Sequence, residues 1–230
     1  MNQYKHIYFD LDRTLWDFNS NSRTALTEIF QKYELSSYFA NAEEFLTIYN
    51  KHNDRLWDQY RKGNLTKAIL RSKRFELTLK EKKLKDEDLA EDIGEEYLRI
   101  SPLKTILFPY THEILTYLQS SYKLYILTNG FRETQLKKLK QCELEQYFSE
   151  VFTSETIGYN KPHSKIFHWA VSSVNAKKHE CLMIGDDQLV DITGANSYGM
   201  DSVLFNPEQM EQVVPSKYSI TSLNELEKIL

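Results

Sequence analysis

The sequence has 230 residues, of which 41% are hydrophobic and 27% charged, a balance typical of a globular protein with a substantial core. Its formal net charge of −4 lacks the basic excess of a nucleic-acid-binding protein, so we expect no nucleic acid polymer as a partner. No stretch approaches the roughly 18 apolar residues of a membrane span, and we expect no signal peptide and no membrane. These features predict a cytoplasmic protein.

Short apolar runs rich in aromatic and β-branched residues recur along the chain, and each of them predicts a strand. They lie at 4–9, 123–128, 150–154, 181–185 and 202–205. Segments with helical periodicity separate the later runs. This alternation predicts an α/β fold, with a Rossmann-like parallel sheet covered by helices on both faces.

The long gap between the first and second predicted strands shows helical periodicity throughout. We therefore predict an α/β core formed by 1–16 and 102–230, and a helical cap formed by 17–101. An insertion directly after the first strand starts at the carboxyl edge of the sheet, where open parallel sheets bind ligands. A helical module there is expected to act as a lid.

Two acids, Asp10 and Asp12, end the first predicted strand in the stretch FDLDRTL. Side chains at i and i+2 of an extended chain point to the same side, so both carboxylates can face one small volume. Two close carboxylates repel each other and raise one pKa. A divalent cation would remove much of that penalty.

The later strand ends add further polar residues. Asp186, Asp187 and Asp191 follow the strand at 181–185, where they can meet the acids of the first strand. Oxygen ligands in an incomplete shell suit Mg²⁺ with phosphate as a co-ligand. Thr128 ends the strand at 123–128 and Asn129 follows it, and together they could bind an anion. Lys161, which follows the strand at 150–154, could neutralise the charge of a phosphate.

Each of these short patterns has an ordinary structural reading as a turn or a helix cap. Their occurrence in order at four successive strand ends resembles the haloacid dehalogenase (HAD) superfamily of phosphohydrolases. The four matching stretches are FDLDRTL, ILTNG, GYNKPHSKIF around Lys161, and IGDDQLVDITGA. Within that superfamily, FDLDRTLWDF, LWDQYRKGNLT and LTNGF resemble the house-cleaning pyrimidine 5′-nucleotidases. His163 and Asp187 depart from the residues common in relatives.

The resemblance implies a Mg²⁺-dependent phosphatase that forms an aspartyl-phosphate, with a nucleoside 5′-monophosphate as its small phosphorylated substrate. Asp10 would be the nucleophile and Asp12 the general acid and base. The Asp10 and Asp186 carboxylates and the Asp12 backbone carbonyl would bind the metal. Thr128, Asn129 and Lys161 would hold the phosphate. Asp187 and Asp191 would lie in a second layer around the metal.

Two other functions stay open at this point. The dehalogenases of the superfamily lack an acid at the position of Asp12 and need no metal, so Asp12 favours phosphoryl chemistry over 2-haloacid dehalogenation. A non-catalytic regulator that binds a phosphorylated metabolite is the remaining alternative. The presence of every polar group of the site argues against it.

Substrate choice is expected to depend on aromatic residues that could stack on a base, each of which could equally be a core residue. The candidates are Trp16, Phe18, Trp57, Tyr60 and Phe131.

Overall fold

A computed structural model describes residues 4–230. The chain divides into two compact units. The first comprises the chain through Phe18 together with Thr105–Leu230, and the second is Asn19–Lys104. Within residues 4–230, no helix combines the length and the apolar character needed to span a membrane.

The first unit contains a six-stranded sheet in the order β3-β2-β1-β4-β5-β6, and all of its neighbouring strands are parallel. This confirms the predicted α/β fold. The sixth strand is short and lies at the sheet edge, and it was not predicted. The strands are β1 (His6–Phe9), β2 (Lys123–Thr128), β3 (Glu150–Thr153), β4 (Cys181–Gly185), β5 (Asp201–Phe205) and β6 (Tyr218–Ile220).

Residues along the central strands alternate between two hydrophobic clusters, because successive side chains of a strand point to opposite faces. In β1, Ile7 and Phe9 belong to one cluster and Tyr8 to the other. Helices complete both clusters, so the sheet is buried on its two faces. The helices of this unit are α5 (Thr111–Gln119), α6 (Arg132–Gln141), α7 (Ser154–Ile157), α8 (Ser164–Ser173) and α9 (Thr193–Tyr198).

The central position of β1 determines where polar residues meet. Phe9 pairs with Ile126 of β2 and with Ile184 of β4, so the carboxyl ends of three strands lie side by side. The chain order of the strands reverses at β1, which is the switch point at which open α/β sheets bind ligands.

The second unit consists of α1 (Phe18–Lys32), which starts at its boundary, α2 (Ala42–Arg61), α3 (Lys67–Lys80) and α4 (Glu87–Ile100). Asn41, Thr66 and Asp86 cap the last three helices, since each side chain accepts a hydrogen bond from the backbone N–H three residues on. The inward faces form a separate hydrophobic core that includes Leu26, Phe45, Tyr49, Phe75 and Ile93.

Candidate active site at the ends of the central strands

Asp10 follows β1 directly, and its backbone N–H donates to the Ile184 carbonyl at 2.9 Å. This bond continues the strand pairing by one residue and fixes the place of the Asp10 side chain. The carboxylate is buried, and its Oδ1 accepts a hydrogen bond from Lys161 Nζ at 2.7 Å.

Lys161 is fully buried although it lies in a loop. Its Nζ donates to Asp10 Oδ1 and to the Leu127 carbonyl, each at 2.7 Å, and lies 2.6 Å from Asp191 Oδ1. The Asn129 side chain holds the loop, since Nδ2 donates to the Lys161 carbonyl at 3.0 Å and Oδ1 accepts from its N–H at 2.8 Å. The end of β2 therefore positions the lysine.

Three carboxylates lie together beside this lysine, and two of them contact it. Oxygens of Asp10, Asp186 and Asp191 lie within 4.8 Å of one another, and Thr14 Oγ1 donates to Asp186 Oδ1 at 3.2 Å. Asp191 has room because Gly185 carries no Cβ, which would overlap its carboxylate. Asp186 thus joins Asp10 as predicted from their strand ends, and Asp191 belongs to the same group.

Burial raises the pKa of all three carboxyl groups, because it disfavours their charged forms. The pKa of Asp10 rises to about 7, since desolvation and repulsion by Asp191 and Asp12 outweigh the attraction of Lys161. Lys161 contacts Asp10 and Asp191, and the Arg13 guanidinium attracts Asp186 and opposes part of the rise in its pKa. Closely spaced hard oxygen donors of this kind can hold a divalent cation.

Asp187 is separated from this cluster by its hydrogen bonds. Its Oδ1 accepts from the backbone N–H groups of Leu189 at 3.0 Å and Val190 at 3.1 Å, so the carboxylate caps the next helical turn. Its own backbone N–H donates to Asp191 Oδ2 at 3.2 Å. Asp187 thus positions Asp191 through the main chain.

The Asp12 carboxylate points to α6 and lies outside the group of three acids. Its Oδ1 accepts from Lys138 Nζ, and its Oδ2 accepts from Gln135 Nε2 at 2.8 Å. Gln135 also donates to Thr128 Oγ1 at 2.8 Å, which in turn accepts from the Gly130 N–H at 3.0 Å. One polar network therefore joins Asp12 to Thr128.

Sequence reasoning missed Gln135 and Lys138. The buried positions of α6 are Gln135, Lys138 and Leu139, so two of its three inward residues are polar. Polar residues one turn apart beside an apolar position were the available signal, and a search for hydrophobic periodicity passes over it.

The aromatic candidates fall into different environments. Trp16 is fully buried and Phe131 nearly so, and neither presents an open ring face to a base. The half-buried Phe18 ring lies 4.6 Å from the Arg13 guanidinium carbon. In the helical unit, Trp57 and Tyr60 are half-buried and contact each other edge to face at 5.6 Å.

His163, which departs from the pattern of the family, caps α8. Its Nδ1 accepts from the Lys165 backbone N–H at 3.1 Å, as an asparagine side chain does in other helices. The departure therefore preserves a local structural role.

The model of the haloacid dehalogenase-like hydrolase family matches residues 7–205. The HAD-hydrolase YfnB of Bacillus subtilis (strain 168) is 30% identical over 234 residues, which cover 100% of this chain and 97% of YfnB. Pyrimidine 5′-nucleotidase YjjG of Escherichia coli (strain K12) is 32% identical over 229 residues, covering 97% of this chain and 96% of YjjG.

A solved structure of similar extent is the orthorhombic crystal form of YfnB bound to magnesium. It has a TM-score of 0.91 and 28% identity, and the match covers 99% of this chain and 98% of that one. The parallel sheet and the acids at its central strand ends define an α/β protein with an acidic candidate active site. The chain belongs to the haloacid dehalogenase-like hydrolase family, which confirms the predicted family.

Proposed function

We propose that this hydrolase cleaves phosphate monoesters, nucleoside 5′-monophosphates in particular, with Mg²⁺ and through an aspartyl-phosphate on Asp10. The observation that carries the proposal is the buried Asp10 carboxylate, hydrogen-bonded to Lys161 and within 4.8 Å of two further acids. A nucleophile in this place can meet a dianionic ester only where positive charge offsets its own.

The first step is an attack of an Asp10 carboxylate oxygen on phosphorus. A P–O bond to Asp10 forms while the P–O bond to the leaving group breaks, and Asp12 gives its proton to the departing oxygen. In the second step Asp12 takes a proton from water, whose oxygen attacks phosphorus. The aspartyl P–O bond then breaks, and inorganic phosphate and free Asp10 are released.

Other residues hold the phosphoryl group. Lys161 offsets negative charge on Asp10 and on the phosphate, while the Thr128 hydroxyl and the Asn129 backbone N–H donate to phosphate oxygens. These assignments extend the sequence prediction, and the burial of Thr128 at the end of β2 and of Lys161 in the loop held by Asn129 supports them.

The donor set fits Mg²⁺, because every candidate ligand is a hard oxygen atom. The carboxylates of Asp10 and Asp186 and the Asp12 backbone carbonyl would hold the ion, with Asp191 beside them. When bound, the ion neutralises charge and stabilises the transferring phosphoryl group.

Nucleoside monophosphates are the proposed substrates because the similarity to the pyrimidine 5′-nucleotidase YjjG extends over 97% of this chain. Trp57 and Tyr60 retain half-exposed rings, and we propose them as base-stacking residues. Stacking of a base on an aromatic ring is worth about 1–3 kcal/mol.

The test is phosphate release by the purified full chain from pyrimidine monophosphates, purine monophosphates, sugar phosphates and pyrophosphate, with Mg²⁺ or with EDTA. We expect Mg²⁺-dependent release with a preference for pyrimidine monophosphates. Asp10→Asn should lower turnover more than about 10⁴-fold while the circular dichroism spectrum stays unchanged.

Other outcomes would redirect the proposal. A marked preference for hexose phosphates would remove the nucleotidase assignment and keep the phosphatase. Halide release from 2-haloacids in EDTA would support the dehalogenase, and ligand-dependent protection without any turnover would support a non-catalytic regulator.

A further inference from the structure

Helix α6 presents two buried polar side chains, Gln135 and Lys138, one turn apart. Gln135 is 0% exposed and Lys138 is 4% exposed, so both are removed from water. Neither has a role in the proposed chemistry so far. Burial of an amide and an ammonium is unfavourable unless their hydrogen bonds are made, so their partners show what these residues do.

The Gln135 amide nitrogen donates both of its hydrogens to the site. One goes to Asp12 Oδ2 and the other to Thr128 Oγ1, each at 2.8 Å. The opposite orientation of the amide would place its oxygen against the Asp12 carboxylate, and the two would repel. Gly130 makes room for this arrangement, since a Cβ at residue 130 would overlap Gln135 Nε2.

These bonds determine what the Thr128 hydroxyl can do. A hydroxyl oxygen has two acceptor sites, and here they receive the Gly130 N–H at 3.0 Å and the Gln135 amide at 2.8 Å. The hydroxyl hydrogen is therefore left for an acceptor. Among the described residues the hydrogen bonds of Thr128 show none, and a phosphoryl oxygen is an acceptor of the required kind.

Lys138 holds the other oxygen of Asp12. Its Nζ donates to Asp12 Oδ1 and lies 3.9 Å from the centroid of the Trp16 ring, with the Phe18 ring at 6.0 Å. A cation over an aromatic face is attracted to it, so the buried Trp16 ring helps to hold the Lys138 ammonium in place. The two oxygens of Asp12 are thus held from two positions of one rigid helix.

We propose that Gln135 and Lys138 are positioning residues of the phosphoryl site: they hold the Asp12 carboxylate beside the leaving-group oxygen and direct the Thr128 hydroxyl hydrogen at the phosphate. The inference rests on the proposed function and deepens it. It also gives Trp16 a role as the support of Lys138 in place of base stacking.

The experiment compares two substrates that differ in their need for an acid. A nucleoside monophosphate has a poor leaving group that requires a proton from Asp12, whereas p-nitrophenyl phosphate has a good leaving group that requires little help. Lys138→Met should lower kcat/KM, which reports the step that releases the leaving group, about 10- to 100-fold on uridine 5′-monophosphate and less than about 3-fold on p-nitrophenyl phosphate. Lys138→Arg should retain most of the activity on both substrates, because it keeps a positive charge beside the Asp12 carboxylate.

Gln135→Leu should act on both substrates, because it affects Thr128 as well as Asp12. We expect kcat to fall about 10-fold or more on each, and inhibition by inorganic phosphate to weaken about 10-fold. Lys137→Met, an exposed neighbour on the same helix, is the matched control and should change nothing. Gln135→Asn keeps a polar amide, so we expect it to fold even if Gln135→Leu does not. Its side chain is one methylene shorter and cannot reach both Asp12 and Thr128, so we expect the same loss on both substrates.

An equal loss on both substrates in Lys138→Met, or full activity in Gln135→Leu and Gln135→Asn, would overturn the inference while wild-type activity keeps the proposed function. If the wild-type chain releases no phosphate from either ester, the proposed function and this inference fall together.

Discussion

A cation is buried at the carboxyl ends of the central strands, here called the sheet edge, and another in the interior of the helical unit. The residues around the two cations differ. Lys161 at the sheet edge contacts Asp10 and Asp191. Arg74 in the helical unit is 5% exposed, and its hydrogen bonds go to neutral oxygens, Asn53 Oδ1 at 3.2 Å and the Arg71 carbonyl at 3.4 Å. Its guanidinium also lies 4.9 to 5.8 Å from the rings of Tyr49, Phe75 and Tyr97.

The two regions stabilise a buried positive charge in different ways. In the helical unit, aromatic faces and amide oxygens stabilise one cation without any net excess of acid. At the carboxyl ends of the central strands, three acids lie together, two of them in contact with Lys161, and burial raises the pKa of each. Such an arrangement is unfavourable for folding by itself. It becomes favourable when a cationic ligand joins it, which is the property expected of a reaction site.

The largest expected effect is on the free energy of unfolding when each buried cation is replaced in turn. Lys161→Met leaves buried carboxylates without their partner and should lower the free energy of unfolding by about 3–5 kcal/mol at pH 8 without metal, together with loss of phosphate release. Arg74→Met removes a cation whose hydrogen bonds go to neutral oxygens, and it should lower the free energy of unfolding by only about 1–2 kcal/mol. Urea unfolding followed by tryptophan fluorescence measures both, and equal destabilisation would refute the comparison.

The next effect concerns pH. The pKa of Asp10 is raised to about 7 by burial, so its ionisation opposes folding. The penalty is absent below the unfolded pKa near 4, grows between about pH 4 and 7, and is complete above pH 7, on the order of 4 kcal/mol. Thermal unfolding without metal should therefore show lower stability at pH 8 than at pH 5. Mg²⁺ should restore stability chiefly at pH 8.

The helical unit should respond in the opposite direction. Hydrogen bonds from Arg99 and Lys32 lower the pKa of Glu96 to about 2. Its stabilising effect is present above pH 4.5 and is lost as pH falls through 2. Glu96→Gln should remove that acid sensitivity without altering the response to Mg²⁺. A Mg²⁺ response that depends on Glu96 would contradict the separation of the two regions.

A smaller effect distinguishes two adjacent acids at the sheet edge. Asp186→Asn removes a carboxylate from the cluster and should weaken Mg²⁺ binding about 10- to 100-fold. Asp187→Asn keeps a side chain able to cap the next turn and should change Mg²⁺ affinity less than about 3-fold. Isothermal titration with Mg²⁺ compares them, and a similar loss in both would mean that Asp187 is also a ligand.

The smallest effect is expected to be alike in both regions. His163→Ala in the first unit and Thr66→Ala in the second each remove a side-chain cap, and each should cost about 1 kcal/mol of unfolding free energy. His163→Asn should restore the loss, because asparagine caps helices well. A large loss of activity with little loss of stability in His163→Ala would instead indicate a functional role for that histidine.

Sequence patterns predicted the central strands well, because residues buried on both sides of a parallel sheet form continuous apolar runs. They did not predict β6, whose three residues at the edge carry little of that signal. Nor did they reveal that Trp16 supports a lysine, since that role depends on a contact with α6.

The order of residues along the chain determined the fold class and the polar residues that end each strand, because strand periodicity and strand ends are local properties. Only the tertiary structure decided which of those residues meet. The register of β1 between β2 and β4 places Asp10 beside Lys161 and Asp186, while the packing of α6 turns Asp12 toward Gln135 and Lys138. Contacts between residues more than a hundred positions apart depend on how elements pack, and no local pattern encodes that distance.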